Sequence, residues 1–307
     1  MRQQFKGVIP PMITPLLSNS QLDFDGVKKI VNHLIDGGVH GIFILGTTGE
    51  SISLSYQARR DLIEQTALHI KKRIPLLVGI SDTSIEESLN LATLAYETGA
   101  AAVVATPPYY FNLGQEELFE YYWDLADRLK LPLFLYNMPS MTKISMSVET
   151  AVRLSKHPNI IGLKDSSANT VYFQALKYSI DRDDFALFVG PEEIMAETVL
   201  MGGNGGVTGG ANLFPKLYVK MYEAAIAHDF ETIKVLQKQI LEIATLLYTV
   251  GSYNSSYLKG IKGAASLLGI CNNYLASPLR PFLDKEMAQI SSNLEGIQSH
   301  LKHLSLN

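Results

Sequence analysis

Along the chain, short apolar or β-branched runs alternate with longer stretches whose apolar residues recur at helical spacing. The short runs fall at 7–13, 41–45, 75–80, 101–105, 132–136, 159–164, 185–189 and 205–208. Bounded by Gly, Pro or polar residues, they predict buried strands. Between them, 25–37, 56–70, 84–98, 115–130, 147–156, 169–180, 191–201 and 214–228 carry the period of amphipathic helices. Ser55 is placed to cap the second helix and Asp82 or Ser84 the third, while Gly37, Gly38 and Gly99 stand where helices end. Eight strand–helix units predict an α/β fold on a parallel sheet, and eight is the number that closes a (β/α)8 TIM barrel. The first turn, PMITPL, is not the glycine-rich turn that a doubly wound sheet would want.

Strand signals stop near residue 228. FETIKVLQKQILEIATLLYTV, NSSYLKGIKGAASLLG and FLDKEMAQISSNLEGIQSHL then read as three further helices. No Pro-, Ser- or Gly-rich linker precedes them, so they are not expected to fold alone. The predicted organisation is a barrel over 1–228 and a helical C-terminal extension over 229–307 packed on it.

Composition narrows the class of partner. With 47% hydrophobic and 18% charged residues the chain has ample apolar side chain for one large core. A net charge of −4 with no long basic run excludes the electrostatic footprint of nucleic-acid or anionic-membrane binding, leaving a small molecule. Cys271 is the only cysteine, which rules out an intrachain disulfide and any CxxC zinc site. No stretch reaches the roughly 18 apolar residues needed to span a bilayer, and MRQQFKGVIPPMITPL has no signal-peptide core, so a cytoplasmic location is expected. His300 and His303 share a helix face but have no further ligands nearby; they read as solvated, and no metal is expected.

In a barrel of this kind the chemistry sits at the C-terminal ends of the strands and in the loops that follow. Lys164 ends the sixth strand after Ile160, Ile161, Gly162 and Leu163, which puts an amine at the mouth of an apolar barrel. Desolvation disfavours ammonium there and frees the amine to attack a carbonyl; the alternative is an ion pair with Asp165 or Glu50. Tyr136 ends the neighbouring fifth strand, where its phenol is either a proton carrier for carbonyl chemistry or an aromatic filler of the rim. After the second strand, Gly46-Thr47-Thr48-Gly49-Glu50 offers hydroxyls and backbone N–H groups to a carboxylate, or is a plain strand-to-helix turn with a capping threonine. The glycine-rich run 202–210 matches neither phosphate-loop pattern; as an eighth strand its small residues, with Gly190 after the seventh, would leave room for a ligand.

Together, GTTGE, TPPYY, YNMPSMT and GLKDSS resemble the N-acetylneuraminate lyase and dihydrodipicolinate synthase family of class I aldolases, over about residues 5 to 300. The resemblance implies a lyase in which Lys164 forms a Schiff base with pyruvate or another 2-oxo acid, with that covalent imine in place of any cofactor. It makes Tyr136 the proton shuttle, Thr47 and Thr48 the carboxylate holders, and Ser166 an additional hydroxyl. Gly190 and Val207 shape the pocket. Tyr109, or Tyr110 if the extra proline shifts the register, is the tyrosine contributed across a subunit interface. It also implies a homotetramer, a dimer of dimers, with an aldehyde as second substrate. One departure bears on that aldehyde: dihydrodipicolinate synthases carry YNxPxRT, and Met141 replaces the arginine that grips the aldehyde's carboxylate. A 2-keto-3-deoxy sugar acid or a related 2-oxo acid is therefore the expected substrate class, with dihydrodipicolinate synthase, N-acetylneuraminate lyase and a non-catalytic keto-acid sensor as alternatives.

Overall fold

The structure is a computed structural model describing residues 5–306. Eight parallel strands run in the order β1-β8-β7-β6-β5-β4-β3-β2. They are β1 (Gly7–Val8), β2 (Ile42–Ile44), β3 (Leu76–Gly79), β4 (Ala102–Ala105), β5 (Leu133–Asn137), β6 (Ile160–Asp165), β7 (Ala186–Val189) and β8 (Gly205–Gly206). The seam between β1 and β2 is closed by Phe43 N to Pro10 O at 3.0 Å and Met12 N to Phe43 O at 2.8 Å. The fold is the (β/α)8 barrel that the alternating pattern predicts.

The first and last strands are shorter than their apolar runs. Pro10 and Pro11 have no N–H to give, so the 7–13 run ladders only at its start and touches β2 through an isolated bridge at Pro11. Past β8 a single 3-10 turn, Gly210–Asn212, takes over. The Asn212 side chain there accepts from Ile13 N at 3.0 Å and donates to Pro11 O at 3.0 Å, replacing the missing ladder bonds.

The outer helices are α1 (Phe24–Asp36), α2 (Tyr56–Ile70), α3 (Ile85–Glu97), α4 (Gln115–Arg128), α5 (Pro139–Thr142), α6 (Val148–Ser155), α7 (Thr170–Ser179), α8 (Met195–Leu200) and α9 (Pro215–Ile226). Ser55 and Ser84 cap α2 and α3 through their hydroxyls as expected. The short α5 has no apolar period to announce it; Pro139 starts it and left-handed Lys143 ends it. Beyond 229 come α10 (Phe230–Leu247), α11 (Ser256–Leu267) and α12 (Asp284–His303). Their buried faces, Ile240, Ile243, Ile290 and Leu294 among them, join the same apolar cluster as the barrel's outer wall.

Strand alternation divides the core in two. One set of side chains packs outward under the helices. The other fills the lumen: Phe5, Ile9, Phe43, Leu77, Val104, Phe134, Phe188 and Val207 are all in it. A register irregularity at Leu133/Phe134 sets the parity, after which Tyr136 pairs directly with Lys164. Both side chains consequently leave their strands on the lumen side at the C-terminal mouth.

Candidate active site

Lys164 is 6% exposed, its Nζ 3.9 Å from the centroid of the Tyr136 ring and 5.7 Å from that of Phe43. The two carboxylates that could have neutralised it are engaged elsewhere. Asp165, on the opposite face of β6, accepts from Asn137 at 2.7 Å and from the Ser167 hydroxyl at 2.8 Å. Glu50 pairs with Lys262 at 2.5 Å. Among the described residues Lys164 makes no ion pair, so the structural-pair alternative is set aside.

Tyr136 is buried, and its hydroxyl lies 3.2 Å from Thr47 Oγ1. Burial alone would raise the phenol's pKa. The Lys164 ammonium, with hydrogen bonds from Lys164, Thr47 and Ser166, outweighs it and draws the pKa below the ordinary tyrosine value. The sequence positions Lys164, Tyr136, Thr47 and Ser166 thus converge on one phenolic oxygen.

The Gly46–Glu50 turn is closed by Gly49 N to Gly46 O at 3.1 Å and Glu50 N to Thr47 O at 3.0 Å. The amides of Thr47 and Thr48 donate to no described residue. Two free N–H groups beside two hydroxyls make a seat for a carboxylate. Thr48 Oγ1 is also 3.3 Å from the Tyr257 hydroxyl.

Gly190 closes the far wall. A Cβ there would lie 2.0 Å from Ser166 Oγ and 3.3 Å from Lys164 Cε, so only glycine lets those side chains stand where they do. Val207 belongs to the lumen cluster below. The other glycines near β8 do not leave space for a ligand, as their small size suggests they should. At Gly205 a Cβ would meet Gly7 O at 1.9 Å, and at Gly209 the Tyr257 hydroxyl at 1.9 Å; the room is taken by the protein itself.

Tyr109 is half-buried, and burial, with Asp82 adding, raises its pKa; Tyr110 is 80% exposed. Among the described residues neither phenol hydrogen-bonds to Tyr136. The rim residue Met141 is 55% exposed, and the nearby Lys143 ammonium donates to Ser140 O at 2.8 Å. His300 meets Glu242 at 3.1 Å, and no group of three or more His, Cys, Asp or Glu among the described residues is arranged to hold a metal. No described helix is long and apolar enough to cross a membrane.

Three side chains around the site lie on no strand end, so the strand pattern does not mark them: Glu192, Tyr257 and Lys262. Glu192 accepts from Tyr218 at 2.6 Å, Tyr248 at 2.7 Å and Gly210 N at 2.7 Å, and its burial pushes its carboxyl up to about 7 against those donors. Only Lys262 left a trace, as a cation between Ile261 and Ala264 on an otherwise apolar helix face.

The model of the dihydrodipicolinate synthetase family matches residues 4–297. The chain belongs to that family. Among similar solved structures is a dihydrodipicolinate synthase from Bacteroides thetaiotaomicron, 53% identical with a TM-score of 0.94, covering 96% of this chain and 100% of that one. The 4-hydroxy-tetrahydrodipicolinate synthase of Methanopyrus kandleri is 33% identical over 99% of this chain and 97% of its own length. A probable 2-dehydro-3-deoxy-D-pentonate aldolase of Escherichia coli is 32% identical over 80% of this chain and 82% of its own. This member of the dihydrodipicolinate synthetase family is an enzyme, a pyruvate-dependent lyase of the class I aldolase type.

Proposed function

We propose that this chain is a 2-oxo acid aldolase whose substrate is a 2-keto-3-deoxy sugar acid or a related 2-oxo acid. The observation that carries the chemistry is Lys164, buried and without a carboxylate partner beside a phenol of lowered pKa. The Thr47-Thr48 turn seats the substrate carboxylate, and Lys164 Nζ adds to the adjacent keto carbon. The keto oxygen takes protons through Tyr136 and leaves as water, giving the imine. Tyr136 then accepts the proton of the C4 hydroxyl as the C3–C4 bond breaks. The aldehyde departs, the bonding pair passes into an enamine, and protonation at C3 followed by hydrolysis releases pyruvate. Synthesis runs the same steps in reverse. The imine is the only prosthetic chemistry required.

Met141 supports the sugar-acid substrate. Where family synthases place an arginine, this rim offers a thioether, and the neighbouring Lys143 is spent on a helix carbonyl. A second reading, condensation of pyruvate with aspartate semialdehyde, is favoured by the names of the Bacteroides and Methanopyrus relatives. Two measurements decide. Borohydride with pyruvate should leave an irreversible adduct on Lys164, absent from Lys164→Ala; no adduct on the parent protein would sink the mechanism. Pyruvate release from 2-keto-3-deoxy acids, sialic acid and 4-hydroxy-2-oxoglutarate, set against product formation from aspartate semialdehyde, separates the substrates.

The working form we propose is a cytoplasmic homotetramer, a dimer of dimers, in which Tyr109 completes the proton relay of a neighbouring subunit. The aromatic pair next to it, Tyr110 and Phe111, is 80% and 75% exposed, as an interface loop would be in an isolated chain. Light scattering that gives a monomer at assay concentrations would exclude it.

A further inference from the structure

Helix α11 of the C-terminal extension meets the Gly46–Glu50 turn at two points. At one end Lys262 pairs with Glu50 at 2.5 Å, both side chains at most 2% exposed. Lys262 also donates to Tyr274 O at 2.6 Å, and Ala276 N gives its hydrogen to the second Glu50 oxygen at 2.7 Å. This grip holds Glu50 in the left-handed region at φ +56°, which few non-glycine residues adopt.

At the other end is Tyr257. Its ring stacks edge-on against Tyr248 with centroids 4.9 Å apart, and Tyr248 is itself fixed by donating to Glu192 at 2.7 Å. Gly209 leaves the gap into which the Tyr257 hydroxyl fits. Burial, with Glu192 adding, pushes the phenol's pKa upward, so it stays a donor. Among the described residues its one side-chain hydrogen-bond partner is Thr48 Oγ1, at 3.3 Å. If Tyr257 supplies the hydrogen of that bond, the threonine's own proton is left to turn into the mouth, towards the free amides of Thr47 and Thr48.

We propose that Tyr257 is a positioning residue for the carboxylate of the 2-oxo acid, acting through Thr48, with the Lys262–Glu50 pair anchoring the same turn from the same helix. This rests on the turn being the carboxylate seat, as proposed above. The C-terminal extension is then part of the substrate site and not only a cover for the barrel wall.

The test is the concentration of pyruvate that gives half-maximal borohydride trapping on Lys164, which needs no knowledge of the aldehyde. Tyr257→Phe keeps the ring and removes one hydroxyl. It should raise that concentration about fivefold, the weight of one neutral hydrogen bond, and leave the trapping rate at saturating pyruvate within about twofold. Thr48→Val should raise it too, and adding Tyr257→Phe to Thr48→Val should raise it no further. If Thr48→Val has no effect, the carboxylate seat itself is wrong. If Thr48→Val has its effect but Tyr257→Phe has none, adds to it, or lowers only the saturated rate, the role given to Tyr257 is overturned while the seat stands.

Discussion

Gly190→Ala is the sharpest perturbation the site offers, because its consequence follows from distances alone. Gly190 is absent from the positive-φ glycines, so its backbone admits alanine and the fold should survive. The new methyl would lie 2.0 Å from Ser166 Oγ, 3.0 Å from Ser166 Cβ and 3.3 Å from Lys164 Cε. The first contact cannot persist, so Ser166 must turn away from the Tyr136 oxygen or the β6–β7 wall must part. Overpacking of this kind costs about 1–3 kcal/mol. Spent on displacing Ser166 and Lys164 from their working positions, it slows imine formation by about 5- to 150-fold. The assay is the rate of borohydride-trapped adduct at fixed pyruvate, followed by mass spectrometry. In a Ser166→Ala background the worst contact is gone, so the same glycine change should cost much less than in the parent. A parental rate in Gly190→Ala, or an undiminished penalty in the Ser166→Ala background, would refute the reasoning.

Three further outcomes are expected. Lys262→Met leaves the Glu50 carboxylate buried without its cation and should destabilise the protein by about 3–5 kcal/mol, read by urea unfolding; a change within experimental scatter would mean that Glu50 finds water. Tyrosinate absorption should show one phenol ionising below the ordinary range, and Lys164→Met should move it upward, since burial is then opposed only by the Thr47 and Ser166 hydrogen bonds; an unchanged titration would dissociate Tyr136 from Lys164. Glu192 keeps its proton up to about 7, above its unfolded value of 4.5, so its contribution to stability is complete below 4.5 and fades as pH rises towards 7. Glu192→Gln, facing the same Glu193, Tyr218 and Tyr248, should flatten that part of the stability profile, which the parent would show as a loss on the order of 3 kcal/mol. Matching slopes for parent and variant would contradict it.

What could be read in advance was periodic. Strand ends put Tyr136 and Lys164 at the same mouth on neighbouring strands, and helix capping at Ser55 and Ser84 follows from short-range geometry. What could not be read depends on contacts distant in the chain. Tyr257 reaches Thr48 across 209 positions and Ala276 reaches Glu50 across 226, and no local pattern encodes either meeting. The glycines around β8 misled for the same reason: a missing side chain marks space, but only the folded chain shows that a tyrosine hydroxyl or a neighbouring backbone occupies it. Prolines cut short the first strand because an apolar run reports burial and says nothing of hydrogen-bond donors.

The lumen beneath Lys164 is filled by Ile9, Phe43, Leu77, Val104, Phe134, Phe188 and Val207. The barrel is thus a socket open at one end. In the reaction proposed above, a keto acid enters with its reacting end first and leaves its remaining carbons pointing out towards the loops. On the proposed reading, a lineage built on this chain could exchange one aldehyde for another by altering the exposed rim, Met141 included, while the buried amine and phenol pass through the change untouched.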